Sequence, residues 1–217
     1  MKILGIVGTG RRNGSVYRLC KSIINGAEAS GMECELINLY DYTINYCIGC
    51  RTCSKDGKGK CFQNDDFENI IAKIIESDII ILGSPVYWGN VSAIMKNFID
   101  RHMSVEYMYP KGDEYQKLSG FKKLITFLNE TKKVKLREGI DNKKFIIVTA
   151  MTGFAVTDFF IKQASLFNKS IKKYIHGMKG KVIKTFVYTD TLFKFSIHKD
   201  EKTMKKAYNF GRQISIS

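Results

Sequence analysis

The sequence predicts an α/β protein: a doubly wound, five-stranded parallel sheet of order 2-1-3-4-5, with helices on both faces and an insert before the fourth strand. Three observations carry this. Five apolar, β-rich runs alternate with segments of helical periodicity. The runs read as buried strands, not alternating ones, as in a parallel sheet covered on both sides. A chain of 217 residues suits one α/β domain, residues 1–217, that hides roughly 70–75% of its unfolded surface.

The elements follow in order. "KILGIVG" (2–8) reads as the first strand, and Val16, Leu19, Cys20, Ile23, Ile24 and Ala27 recur at helical spacing as the first helix face. "ECELINLY" (33–40) is the second strand. After a cysteine-rich stretch (41–63), Phe67, Ile70, Ile71, Ile74 and Ile75 mark a second helix, opened by the acidic "NDD" at its N-terminus. "DIIILGSPV" (78–86) is the clearest strand, followed by the helical stripe Val91, Ile94, Met95, Phe98 and Ile99. "KFIIVTAM" (144–151) is the fourth strand; a helix over about 155–176, a strand at 181–189 and a helix from about 200 to 213 complete the run. Right-handed crossovers then favour the order 2-1-3-4-5.

Segment 103–142 is too long for an ordinary connection. Leu118, Phe121, Leu124, Ile125 and Leu128 suggest an amphipathic helix within it. It reads as an insert packed on the sheet edge, a subunit interface or a lid over a cofactor.

Charge narrows the partners. The 35 Lys and Arg against 21 Asp and Glu give a net +14, which favours nucleic acid, anionic membrane, phosphate-bearing cofactors or an acidic protein. The basic residues are scattered, without the Lys/Arg block of a nucleic-acid arm, and this speaks against nucleic acid. "MKILGIVGTG" lacks the regions of a signal peptide, and no apolar run reaches the roughly 18–20 residues that span a bilayer. The expected location is the cytoplasm, with no membrane partner.

Ligands of a doubly wound sheet sit at the carboxyl ends of its strands. After the first strand, "GTGRRNGSV" (8–16) enters a helix: the glycines permit close backbone approach, Thr9, Asn13 and Ser15 offer side-chain donors, and Arg11 and Arg12 add positive charge. Free N–H groups at such a helix start favour a phosphate dianion. No GK[ST] follows, and Asn13 occupies the last glycine position of GxGxxG, so neither the Walker loop nor the dinucleotide fingerprint applies. After the third strand, "GSPVYWGN" (83–90) sets the only tryptophan beside a tyrosine, suited to flanking a planar ring. The two loops together describe a site for a mononucleotide with a flat apolar ring, for which FMN is the natural candidate.

"GTGRRNGSV" is similar to the GSxRxxGxT loop, and "SPVYWGNVSAIMKNFIDR" (84–101) closely resembles the second signature, of the flavodoxin-like NADPH-dependent FMN reductase family; "CIGCRTC…C" between them matches its iron–sulfur flavoprotein branch. The resemblance covers residues 2–102, resumes at "KFIIVTAMTG" and weakens in the last helix. It implies that Thr9, Arg11, Asn13, Ser15 and Val16 meet the FMN phosphate. Ser84, Pro85, Val86, Tyr87, Trp88, Gly89 and Asn90 would wrap the ribityl chain and ring, with Thr152 and Gly153 as a third loop. Thr9 and Val16 stand where serine and threonine are usual, and "AMTGF" departs from the glycine-rich third loop. The loss of one neutral hydrogen bond, about 0.5–1.5 kcal/mol, leaves FMN binding expected.

Cys47, Cys50 and Cys53 are spaced CxxCxxC and Cys61 follows, so one short segment presents three thiolates with a fourth to close a cage. That spacing suits a [4Fe–4S] cluster. A disulfide, free thiols and zinc are the alternatives. Arg51, Lys55, Lys58 and Lys60 against Asp56 would offset the negative charge of a cluster and could dock an acidic, ferredoxin-type donor. Cys20 and Cys34 read as small buried residues. His102 reads as a helix-end residue favouring the C-terminal dipole, and His176 and His198 lack triad spacing.

The expected activity passes electrons from NAD(P)H or a ferredoxin-type donor to FMN, through the cysteine centre where it holds iron and sulfide, and on to a small acceptor such as a quinone, a flavin or an oxygen species. The resemblance also implies a homo-oligomer, a dimer or tetramer. The rival reading is a non-catalytic electron carrier or redox sensor with structural or disulfide-forming cysteines.

Overall fold

The structure, a computed structural model, describes residues 1–55, 59–102, 117–131, 136–151, 163–189 and 200–214. The strands are β1 (Lys2–Val7), β2 (Glu33–Asn38), β3 (Ile79–Pro85), β4 (Lys144–Ala150) and β5 (Lys181–Tyr188). All pair in parallel, in the order β2-β1-β3-β4-β5. The helices are α1 (Ser15–Glu28), the short α2 (Thr52–Lys55), α3 (Phe67–Glu76), α4 (Ala93–Arg101), α5 (Gly120–Thr131), α6 (Gln163–Gly177) and α7 (Glu201–Gln213). No helix among the described residues is long and apolar enough to cross a membrane.

Alternate residues of each central strand face opposite layers. Ile3 and Val7 of β1, Ile79 and Ile81 of β3 and Ile146 and Val148 of β4 pack against α1 and α7. Leu4 and Ile6, Ile80 and Leu82, and Phe145 and Ile147 face α3, α4 and α6. The three central strands are therefore buried on both faces, as expected. The outer strands differ: β2 and β5 are largely half-buried, because each has a neighbour on one side only. The α1–α7 contact is close enough to require glycine on both helices; a Cβ on Gly26 would lie 2.0 Å from the Tyr208 carbonyl oxygen, and one on Gly211 2.1 Å from that of Ile23.

The long insert contains the helix its periodicity predicts, but α5 does not bury its stripe on the sheet edge. Phe121, Leu124, Ile125 and Leu128 are all substantially exposed. The helix expected over 155–176 is described from Gln163 onward, and 152–162 lie outside the described residues.

Parallel pairing brings the carboxyl ends of all five strands to one edge of the sheet. The segments leaving β1, β2, β3 and β4 thus meet there.

Candidate functional site

The first loop is held tightly before its helix begins. Gly8 donates its N–H to the Gly83 carbonyl (2.8 Å), and Gly14 donates to the Arg11 carbonyl (2.9 Å). Thr9 is buried; its hydroxyl oxygen accepts from the Arg11 N–H (3.3 Å), and its carbonyl accepts from Asn38 Nδ2 (2.8 Å). α1 then starts after an extended Gly14, with no side chain capping it and no acidic residue in its first turn. Its first N–H groups have no intrahelical acceptor and carry the positive end of the dipole. Arg11 and Asn13 are exposed beside them. Val16 turns its side chain into the α1–α7 core, so only its N–H faces the loop's chemistry. Arg12 pairs with Asp41, which holds it toward the segment after β2.

The second loop is a preformed tight turn. Tyr87 and Asn90 exchange both backbone hydrogen bonds (2.9 and 3.0 Å) around Trp88 and Gly89, at φ 51° and 70°. Two left-handed residues in succession define the hairpin turn that glycine favours and tryptophan does not. Trp88 is 97% exposed, and Tyr87 stands exposed beside it. A large aromatic held in costly backbone geometry without burial has the shape and exposure to receive a flat ring. Pro85 and Val86 are turned back toward the sheet, the Val86 N–H bonding the Ala150 carbonyl (3.0 Å). Asn90 Oδ1 accepts from its neighbour's N–H (Val91, 2.8 Å) and from Ser170 Oγ (3.4 Å).

Ser84 is fully buried, and its hydroxyl holds the loop together: it donates to the Pro85 carbonyl (3.0 Å) and accepts from the Ser92 N–H (2.9 Å). Ser92, absent from the residues expected at the site, joins the two loops. Its hydroxyl donates to the Gly8 carbonyl (2.6 Å) and caps α4 through the Met95 N–H (3.4 Å). A serine placed just before an apolar helical stripe is a readable N-cap signal; its partner across 84 residues is not readable.

Thr152 and Gly153, the expected third loop, lie outside the described residues. The chain leads to them at Met151, whose N–H bonds the Tyr188 carbonyl (3.0 Å). A groove of about 780 Å³ opens there, lined in part by Asn168, Lys169 and Lys172.

The cysteine segment leaves the sheet at the same edge. Cys47 and Cys50 are exposed, and Cys53 and Cys61 are half-buried. Among the described residues no three Cys, His, Asp or Glu side chains converge as metal ligands. Four thiols on one segment nonetheless form the donor set of a thiolate-bound iron–sulfur centre, so the fit is one of ligand type. Of the basic rim, Arg51 and Lys60 are exposed. Asp56 and Lys58 lie outside the described residues, and the Lys55 side chain is not described.

Both ends of the segment are anchored to the fold. Thr43 donates its N–H to Asp66 (2.7 Å) and Asn45 donates to Asp65 (2.9 Å). Asn97 of α4 donates to the Ile44 carbonyl (2.8 Å). Arg101, at the end of the same helix, donates to the Asn45 carbonyl (2.7 Å) and grips Asp65 with both Nη atoms (2.6 and 3.2 Å). Cys61 donates its N–H to Glu68 (3.2 Å), which pairs with Arg137 (2.6 Å). Burial would raise the Asp65 carboxyl; the Arg101 guanidinium and the Asn45 and Phe67 amides outweigh it and hold the group below its ordinary value.

Other titratable groups have structural explanations. His102 caps α4 as expected, its Nδ1 against the Phe98 carbonyl (2.8 Å). It does not act as a cation there: it is buried among Phe67, Phe98 and Tyr174, and burial pushes it down to about 4. Cys20 is fully buried and pushed up; Cys34 is only half-buried, and burial raises it to about 11. His176 lies in the last turn of α6, and His198 is outside the described residues.

The strand order and the loops at one sheet edge define a flavodoxin-like α/β protein. Residues 1–120 match the family described as NADPH-dependent FMN reductase. An iron-sulfur flavoprotein of Archaeoglobus fulgidus is 44% identical over 101 residues, 46% of this chain and 45% of that protein. An iron-sulfur flavoprotein of Clostridioides difficile is 30% identical over 192 residues, covering 83% of this chain and 81% of its own length. The solved NAD(P)H:quinone oxidoreductase from Methanothermobacter marburgensis superposes with a TM-score of 0.71 at 12% identity, over 99% of this chain and 96% of that one. The chain belongs to the NADPH-dependent FMN reductase family, in its iron–sulfur flavoprotein branch. It spans less than half the length of the A. fulgidus relative.

Proposed function

We propose that the chain is an FMN-dependent oxidoreductase that takes electrons from NAD(P)H or a ferredoxin-type donor and delivers them to a small acceptor, such as a quinone, a flavin or an oxygen species. One observation carries the reading: an uncapped helix start and an exposed Tyr87–Trp88 turn are tied side by side through Ser92 at the carboxyl edge of the sheet. An anion suits the first and a flat apolar ring the second, and FMN unites the two.

In this reading the first-turn N–H groups of α1, with Thr9, Arg11, Asn13, Ser15 and the Val16 N–H, bind the phosphate. The turn from Ser84 to Asn90 orients the ring, and Thr152 and Gly153 close the third side. Bound FMN supplies acceptance of two electrons as hydride and release of them singly. Cys47, Cys50, Cys53 and Cys61 would hold a [4Fe–4S] centre, a one-electron port beside the flavin. The role left to the protein is to bind, orient and exclude water; no protein acid or base is required. Lys169 and Lys172 beside Met151 suit the phosphates of NAD(P)H. The exposed stripe of α5 supports a homo-oligomer, a dimer or tetramer. The site belongs to one domain, residues 1–217.

Anaerobic purification followed by flavin, iron, sulfide and zinc analysis tests the reading. FMN near one per chain with about four irons is expected. Protein free of flavin overturns it. Steady-state NAD(P)H oxidation with a quinone separates an enzyme from a carrier, which takes up one charge of electrons and stops.

A further inference from the structure

α4 joins two parts of the molecule that the sheet alone does not connect. At its start, Ser92 is bonded to Gly8 of the first loop and Ser84 of the second. One face of its later turns carries Asn97 and Arg101, which reach the segment entering the cysteines at Ile44 and Asn45 and the segment leaving them at Asp65. The Arg101 and Asp65 side chains are each 1% exposed, and the guanidinium also covers the Phe67 ring at 4.7 Å. It lies within hydrogen-bonding and electrostatic reach of the Cys61 thiol as well.

We propose that Arg101, with Asp65, is the positioning residue of the cysteine segment: it pins both ends of the segment to the helix that carries the flavin turn and sets a fixed positive charge beside Cys61. The inference rests on the reading that these cysteines hold a metal centre. A loop of this length pays for closure in entropy, and a buried fork at its neck supplies the closure before any metal arrives. The fork requires arginine, since a lysine offers charge without two parallel donors. Withdrawing the charge makes an anionic centre harder to reduce, and withdrawing the nearby carboxylate makes it easier.

The test uses the FMN-loaded full chain, anaerobic and reconstituted with ferrous iron and sulfide, as wild type, Arg101→Met, Arg101→Lys and Asp65→Asn. Iron retained after gel filtration, the midpoint potential of the centre, and amide exchange over residues 43–46 and 61–66 are read together. Arg101→Met is expected to retain several-fold less iron and to exchange at least tenfold faster in both stretches. Arg101→Lys should recover the potential but only part of the retention. Asp65→Asn should raise the potential, by about 59 mV for a tenfold change in a one-electron equilibrium. Arg101→Met with wild-type iron, potential and exchange overturns the proposal.

Should Arg101→Met fail to fold, Asn97→Ala removes only the bond to Ile44; faster exchange at 43–46 with lowered iron retention supports the anchoring, and wild-type behaviour overturns it. Wild type that binds FMN but no iron defeats the metal reading alone, and the exchange arm still decides the anchoring. Wild type that binds neither defeats the functional reading instead.

Discussion

The Ser92 hydroxyl donates to the Gly8 carbonyl at 2.6 Å and so binds the turn after β3 to the loop after β1. Ser92 is 3% exposed, and its removal leaves that carbonyl without this donor in a buried place. Such a loss costs about 1–3 kcal/mol. Ser92→Ala should therefore lower stability by about that amount in urea unfolding and weaken FMN binding as the loops part. Stability and affinity both at wild-type levels would show that the loops are aligned by other contacts.

Trp88 predicts the opposite pattern. Because it is the only tryptophan and lies almost wholly outside the fold, its fluorescence reports this turn alone. Added FMN should quench it. Trp88→Ala should leave the unfolding midpoint unchanged or slightly higher, since a non-glycine residue remains at φ 51° but no packing is lost. FMN affinity should fall by about 0.5–1.5 kcal/mol, roughly two- to tenfold. An unquenched tryptophan would remove it from the flavin site.

His102 governs a pH window. Its folded value of about 4 lies below the ordinary 6.5. Between those values the unfolded chain binds a proton that the folded one excludes, so stability falls as pH drops from 6.5 toward 4. The full loss is about 3 kcal/mol. His102→Leu, which stays apolar among Phe67, Phe98 and Tyr174, should flatten stability over this window in urea melts.

Asp65 acts lower. Its carboxyl is held below its ordinary value, so its stabilisation is present above about pH 4 and is lost as pH falls through the folded value. Asp65→Asn should lose stability at neutral pH and show less further loss on acidification below pH 4. An acid limb of wild-type steepness in the variant would assign that limb to other carboxylates.

In the proposed reading the cysteines hold iron and the loops after β1 and β3 hold FMN, so the two can be removed separately. Serine at Cys47, Cys50, Cys53 and Cys61 together should abolish retained iron while leaving FMN content near that of the wild type. Loss of flavin along with the iron would show that the segment is part of the flavin site itself.

Much of the fold is legible in the sequence alone. The runs 2–8, 78–86 and 144–151 read as doubly buried strands because nearly every residue is apolar, and they form β1, β3 and β4 within a residue or two. The outer strands were legible as strands but not as edges: "KVIKTFVYT" alternates only partly, and which side lacks a neighbour is a matter of topology. Val16 and Ser84 show the same limit at the site. The family resemblance implied that both meet FMN, but not the directions of their side chains, into the core for Val16 and into the loop's own scaffold for Ser84.

The sequence by itself determined the parallel α/β order, the two loops at its carboxyl edge and the four thiols between them, because hydrophobic period, glycine placement and cysteine spacing are local properties. Only the tertiary structure decided what ties these parts together. Ser92 to Gly8 and Arg101 to Asp65 span 84 and 36 residues, and each joins a side chain to a partner that no periodicity marks. The helix between them is apolar on one face for the core's sake. Its polar ends find their partners only after the sheet has brought three separate strand ends to one edge.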